Sequence, residues 1–206
     1  MSAVRRWGVL SGLLAPLLLV GGWTAAAALR PDAYDAVQRT ISELAGLGAP
    51  HRWLMTCALV GVGVCHGATA AALRVAALPG RILLALGGVA TVLVAANPLP
   101  AGGGSSSAHT ASAAGAFGAL ACWPALAWRR GPRVPAVLRA GPSVAAAAVL
   151  LAAVLWFAVE LSAPAGRVGL AERWAAGLQA LWPLAVVLAL RRSDATTPAC
   201  CPGTTF

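Results

Sequence analysis

Six stretches of the chain are almost free of charge, with polar or helix-breaking residues standing between them. They run at about Trp7 to Leu29, Trp53 to Leu73, Ile82 to Ala96, His109 to Trp128, Gly141 to Leu161 and Glu172 to Leu190. A helix needs roughly 20 apolar residues to cross the hydrocarbon core of a bilayer. The third stretch is the short one, ended by Asn97-Pro98. Arg30-Pro31, Pro79-Gly80-Arg81, the Gly/Ser run from Ala101 to Ser107, Arg129 to Arg133 and Pro164 to Arg167 read as the connecting loops. The pattern predicts an all-α polytopic transmembrane bundle of about six spans. It forms a single domain over residues 1–192, followed by a short disordered cytoplasmic tail over 193–206.

Composition removes the soluble alternatives. Hydrophobic residues make up 59% of the 206 residues and charged residues 10%, against about 25% charge in a typical soluble domain. The mean hydropathy is +0.79. A net charge of +9 would suit nucleic acid if the basic residues shared a soluble face. They sit instead in short clusters between apolar runs, so no nucleic-acid partner is expected. All the basic residues are arginine. With abundant Ala and Gly, that usage points to a GC-rich coding genome and carries no functional reading.

The clusters set an orientation. With the N-terminus inside, Arg5, Arg6, Arg74, Arg81, Arg129, Arg130, Arg133, Arg139, Arg191 and Arg192 fall on the cytoplasmic side, and Arg30, Arg39, Arg52, Arg167 and Arg173 on the other. This obeys the positive-inside rule and places both termini in the cytoplasm. The first span follows Arg5-Arg6 and ends in Ala25 to Ala28, as a signal peptide would. Its apolar run exceeds an ordinary signal core, and we read it as a retained anchor. Trp7, Trp53, Trp128 and Trp174 stand at span ends, where interfacial anchors stand. Gly8-x3-Gly12 and Gly63-x3-Gly67 predict close helix contacts. No repeat of two inverted halves is visible, which weighs against the usual transporter architecture.

Chemistry gathers at the predicted outer end. Asp32, Asp35, Glu43, Glu160 and Glu172 all map there, and only Asp194 maps inside. Asn97 closes the third span, His109 and Thr110 open the fourth, and Ser162 follows Glu160. If the helices face one another, these form an outer-leaflet pocket. Glu160 lies about one turn inside an apolar helix, four residues after Trp156 and on the same face. A carboxylate there is costly, so it marks either a site or a side chain snorkelling to the interface or paired with Arg167 or Arg173. Thr40-Ile41-Ser42-Glu43 has the spacing of a capping box opening a short helix. Glu172 at a helix start favours the helix dipole. His109 reads as an interfacial residue or a proton carrier. His66, beside Cys65 on the inner half of the second span, reads as a packing histidine.

Cys57, Cys65 and Cys122 lie within spans as small packing residues. Cys200 and Cys201 lie in the tail and are expected to be reduced. No zinc spacing, P-loop, Rossmann glycine pattern or Gly-x-Ser-x-Gly occurs. His109, Glu43, Glu160 and Glu172 have only nonspecific spacing for a metal, so neither metal nor cofactor is predicted.

Three stretches resemble a known family. Tyr34 to Leu44 after the first span, His109-Thr110 opening the fourth, and Gly169-Leu170-Ala171-Glu172-Arg173 opening the sixth are similar to the bacterial membrane proteins grouped as domain of unknown function 998. The resemblance covers nearly the whole chain, and Ile-Ser-Glu-Leu and Gly-Leu-x-Glu-Arg are its specific part. Asn97-Pro98 departs from the family's usual Phe-Pro. The resemblance implies the six-span fold, a bacterial cytoplasmic membrane, and a shared site at Glu43, His109, Glu172 and Arg173. It implies no reaction.

Two functions follow as expectations. In the first, the protein is an intramembrane enzyme acting on a lipidic or isoprenoid substrate by acid catalysis, as a membrane terpene cyclase does. A carboxyl at the edge of an apolar cavity stays protonated and delivers its proton to an alkene. Glu43 or Glu160 is then the acid, Glu172 and His109 hold or relay the proton, and Arg39 or Arg173 orients a carboxylate. Trp23, Tyr34 and Trp156 offer aromatic faces to a carbocation, with Asn97 beside the site. In the second, the protein is a non-catalytic module, a small permease or accessory subunit, and the ionic cluster is a lock between helices. Proton-coupled transport ranks last, since only His66 is ionisable near mid-bilayer. Membrane lipids are partners in either case, and a homo-oligomer is compatible with both.

Overall fold

A computed structural model describes residues 5–32, 34–132, 134–163 and 166–195. Residues 193–195 of the predicted tail continue the last helix, while the rest of the tail with Cys200 and Cys201, Arg133 in the fourth loop and Pro164 in the fifth lie outside the described residues. Among those described, the secondary structure is entirely helical. α1 spans Arg6–Ala28, α2 Ile41–Ala45, α3 Arg52–Ala72, α4 Leu78–Ala96, α5 Ser107–Ala127, α6 Ala140–Glu160 and α7 Val168–Ala195, with a 3-10 turn at Ala136–Leu138 before α6. All except α2 are long and apolar enough to cross a membrane. The chain is thus a multi-pass integral membrane protein.

Two helix starts differ from the expectation. Pro79-Gly80-Arg81 is the first turn of α4, because a proline there gives up only an N–H that has no partner within the helix. α7 begins at Val168, so Glu172 stands beyond the first turn and the dipole account of it does not hold.

The spans close into a ring. α1 packs on α3, α3 on α4, α4 on α5, α5 on α6, α6 on α7, and α7 returns to α1. Small residues make the tightest crossing, since water supplies no hydrophobic drive between helices in a bilayer. Gly63 on α3 faces Gly88 on α4, and a Cβ on either would collide with the other's carbonyl oxygen. Gly63 therefore does what its spacing predicted, while a Cβ at Gly67 would meet open space.

Two apolar clusters fill the ring. One joins Leu73, Leu84, Leu120, Trp123, Leu138 and Leu190. The other, at the end that carries α2, joins Leu19, Ile41, Leu44, Met55, Leu59 and Val62. Along α3 they are divided at His66.

One helix is only half committed to the bundle. α6 buries Ser143, Ala146, Ala147 and Leu150, all in its first half. Its second half buries none, and Leu155 and Val159 are 65% and 61% exposed. The α2 end of α6 is thus less buried than its other end, and the cavity described next lies beside it.

Candidate functional site

The site is organised around α2, a helix of five residues that could not persist alone in water. Thr40 caps it. Its hydroxyl accepts from Glu43 N at 3.2 Å while Glu43 Oε1 accepts from Thr40 N at 3.0 Å, completing the predicted capping box. Glu43 Oε2 accepts from Arg39 Nε at 2.9 Å. Both oxygens of Glu43 are therefore engaged in holding the turn.

Glu172 holds the same helix from the opposite side. Reaching across from α7, it accepts from the Ile41 backbone N–H and, at 3.1 Å, from Ser42 Oγ. It is 4% exposed. The two carboxylates thus satisfy different N–H groups of one helix start, where backbone donors are otherwise orphaned.

Arg173, next along α7, staples the preceding loop. Its Nη1 donates to the carbonyls of Ala36, Arg39 and Gly169 at 2.8 to 2.9 Å, and its Nη2 donates to Tyr34 Oη at 2.8 Å. Tyr34 Oη also stands 2.7 Å from the Thr40 carbonyl, to which it donates. The guanidiniums of Arg30, Arg39 and Arg173 lie 5.4, 5.2 and 5.6 Å from the Tyr34 ring centre. Burial pushes the Tyr34 phenol above its usual value, against the pull of Arg173. Gly169 is obligatory in this arrangement, because a Cβ there would strike the carbonyl oxygens of Arg39 and Ala36.

An exposed ionic chain extends the loop. Asp32 takes two bonds from Arg30, at 2.8 and 3.0 Å, and one from Arg39 Nη1 at 2.7 Å. These guanidiniums hold the Asp32 carboxyl well below the usual range. Glu43 and then Asp32 raise Arg39 in turn.

Above α2 opens a cavity of about 910 Å3, between the α2 loop, the Gly-rich α4–α5 connection, α5 and the exposed half of α6. Its polar wall includes Arg30, Arg39, Thr40, Ser42, Glu43, His109 and Glu172. Its apolar wall includes Ala113, Phe117 and Gly118 of α5 and Val154, Phe157 and Leu161 of α6. The Phe117 and Phe157 rings meet at 5.1 Å, tilted by 49°. His109 is 7% exposed, and its Nδ1 stands 2.8 Å from the Asn97 carbonyl oxygen. That oxygen can only accept, so Nδ1 carries the hydrogen of this bond.

The predicted residues therefore divide. Glu43, Glu172, His109 and Arg39 line one cavity. Asn97 positions His109 by its carbonyl, and its own amide returns to Leu93 O at 2.8 Å. Tyr34, Arg173 and Trp23 lie behind the α2 loop, with Arg173 5.8 Å from the Trp23 ring, and none of the three is in the cavity wall. Glu160 and Trp156 are likewise outside that wall. Glu160 ends α6, taking Trp156 Nε1 at 3.0 Å and the Arg167 backbone N–H, so Arg167 meets it through its main chain and not as an ion pair. Sequence reasoning passed over Arg30, Ser42, Phe117, Gly118 and Phe157. Ser42 was within the quoted Ile-Ser-Glu-Leu stretch, whereas only the tertiary course of α6 distinguishes Phe157 from a lipid-facing residue. Among the described residues, no three His, Cys, Asp or Glu side chains gather as a metal would require.

The stretches that build this site fall within a single family match, to the family described as Protein of unknown function (DUF998), over residues 13–189. The chain belongs to that family. The DUF998 match reaches into every crossing helix, starting within α1 and ending within α7. No match was found among curated proteins or among solved structures.

Proposed function

We propose that this DUF998 protein takes a lipidic or isoprenoid molecule into the cavity beside α6 and acts on it by proton-initiated catalysis. The observation that carries the reading is one cavity wall that brings Arg39, His109 and Glu172 together with Phe117, Gly118 and Phe157, beside the exposed half of α6. Ligand pockets combine an apolar lining with a few convergent polar groups in this way.

Within the reading, Glu172 is the acid. Glu43 is ion-paired with the Arg39 guanidinium, whereas Glu172 is held only by neutral donors, and Glu160 stands outside the cavity. Glu172 gives its proton to an alkene carbon, so the double bond's electron pair forms the new C–H bond and a tertiary cation results. The Phe117 and Phe157 faces stabilise that cation. His109 Nε2 then removes a proton from a neighbouring carbon, whose C–H electrons restore a double bond. One proton enters and one leaves, and no co-reactant is consumed.

A second reading rests on an equally specific observation. Every carboxylate described at the α2 end already serves structure: Asp32 in the loop chain, Asp35 on the Val37 and Gln38 N–H groups, Glu43 and Glu172 on α2, Glu160 at the end of α6. On this reading the cavity only binds its lipid, as in a permease or an accessory subunit. Glu172→Gln in reconstituted membranes separates the two. The catalytic reading expects polyprenyl substrates to bind and not turn over. Turnover retained in Glu172→Gln would reject it, and loss of binding in Gly118→Leu is common to both.

A further inference from the structure

A second, smaller cavity lies at the centre of the bundle, and the proposed ligand site does not use it. Its volume is about 70 Å3, and all the crossing helices except α6 contribute to its wall. It falls between the two apolar clusters, yet five of its wall side chains are polar: Ser42, His66, Thr91, Glu172 and Gln179. Glu172 and His66 are its titratable groups. Glu172, Ser42, Ala113 and Phe117 are shared with the large cavity, so Glu172 stands in the partition between the two.

The hydrogen-bonding ledger of this wall is uneven. Thr91 Oγ1 donates to Gly87 O at 2.9 Å, Gln179 Nε2 to Phe117 O at 2.8 Å and Ser42 Oγ to Glu172 at 3.1 Å. Both hydroxyl hydrogens are satisfied, one amide hydrogen of Gln179 is left over, and the lone pairs of Thr91 Oγ1, Ser42 Oγ and the Gln179 carbonyl remain to accept. His66 is 1% exposed, and its Nδ1 has no partner among the described residues. A hydrocarbon chain would leave all these groups unsatisfied. Water has both the donors and the acceptors to satisfy them, and needs two to four polar partners to stay in a buried site. At about 30 Å3 for each molecule of liquid water, the chamber holds at least two.

We propose that the central chamber is a water-binding site in which bound water joins His66 to Glu172. The histidine read as packing is then the far wall of a hydrated compartment. Glu172 exchanges its proton with that compartment from behind, while the large cavity in front of it stays filled. This inference concerns a different chamber from the ligand reading and stands whether or not the protein is an enzyme.

The test is magic-angle-spinning NMR on the full chain in lipid bilayers with 15N-labelled histidine. It measures magnetisation transfer to each imidazole from water and, separately, from lipid methylenes. His66→Leu assigns the signal. Transfer from water to His66 is expected to match that to His109 within about twofold. Ala116 lines the central chamber alone, so Ala116→Leu is expected to cut transfer to His66 about fivefold while leaving His109 and lipid capture unchanged. Thr91→Val keeps the side chain's shape, so it serves if Ala116→Leu does not fold, and it is expected to cut transfer about twofold. Transfer to His66 from lipid and not water, or water transfer that neither variant changes, overturns the proposal.

Discussion

The two ends of the bundle solve the same packing problem in opposite ways. At the end away from α2, Gly80 opens α4 so close to α5 that a Cβ would collide with the backbone of Ala127, and Leu73, Leu84 and Leu138 are completely buried around it. Helices there meet backbone to backbone. At the α2 end α1 and α3 still meet closely, at Gly22 and Ala58, but a short helix with its loop is wedged against α7, tied by carboxylates and guanidiniums. Close packing leaves no room for a ligand. Polar wedging leaves a cavity of about 910 Å3.

Breaking the close-packed end should have the largest effect. Gly80→Val is expected to destabilise the protein by about 3 kcal/mol, at the upper end of overpacking costs, because the obstacle is backbone and cannot rotate away. Thermal unfolding in detergent checks this. At the wedged end, Gly169→Ala is expected to cost about 2 kcal/mol by lifting the loop from α7, with limited proteolysis between Arg30 and Arg39 as the local readout. Glu172→Gln follows. The amide keeps one acceptor but turns a donor toward the Ile41 N–H or the Ser42 hydroxyl, a loss of about 1 to 3 kcal/mol for a buried unsatisfied group. Glu43→Gln is expected to cost about 1 kcal/mol, the size of a weakened cap.

The smallest expected effect is that of pH on the exposed ionic chain. Asp32 is held below its ordinary value when folded, by Arg30 and then Arg39. Its contribution is therefore fully present above the unfolded carboxyl value of about 4, and is lost as pH falls through the lower folded value. Proteolysis of the loop should be flat from neutral pH down to about 4 and rise only below it. A rise near neutral pH would assign the loop's order to another group.

The spans and their closest crossing were legible in the sequence, because the apolar runs and Gly63 are local signals. The start of α4 was not: Pro79-Gly80 is a breaker and a helix opening in the same letters, and only the backbone decides. The capping box at Thr40 and Glu43 was legible for the same local reason. Glu172 was visible as a carboxylate opening the last span, but its partners Ile41 and Ser42 lie some 130 residues away in the chain. A pocket was expected if the helices faced one another, but its apolar wall was hidden, since nothing in the composition of α6 tells its buried half from its exposed half.

The central claim, that the wedged end exists to hold a lipidic molecule, is tested most directly at Gly118. It lines the cavity, and a Cβ there would meet nothing within 4 Å, so a larger side chain fills the space without touching the fold. Binding of a fluorescent polyprenol to the reconstituted protein should weaken at least about tenfold in Gly118→Leu, or about 1.4 kcal/mol, with the unfolding temperature unchanged. Undiminished binding in a stably folded Gly118→Leu would contradict the account.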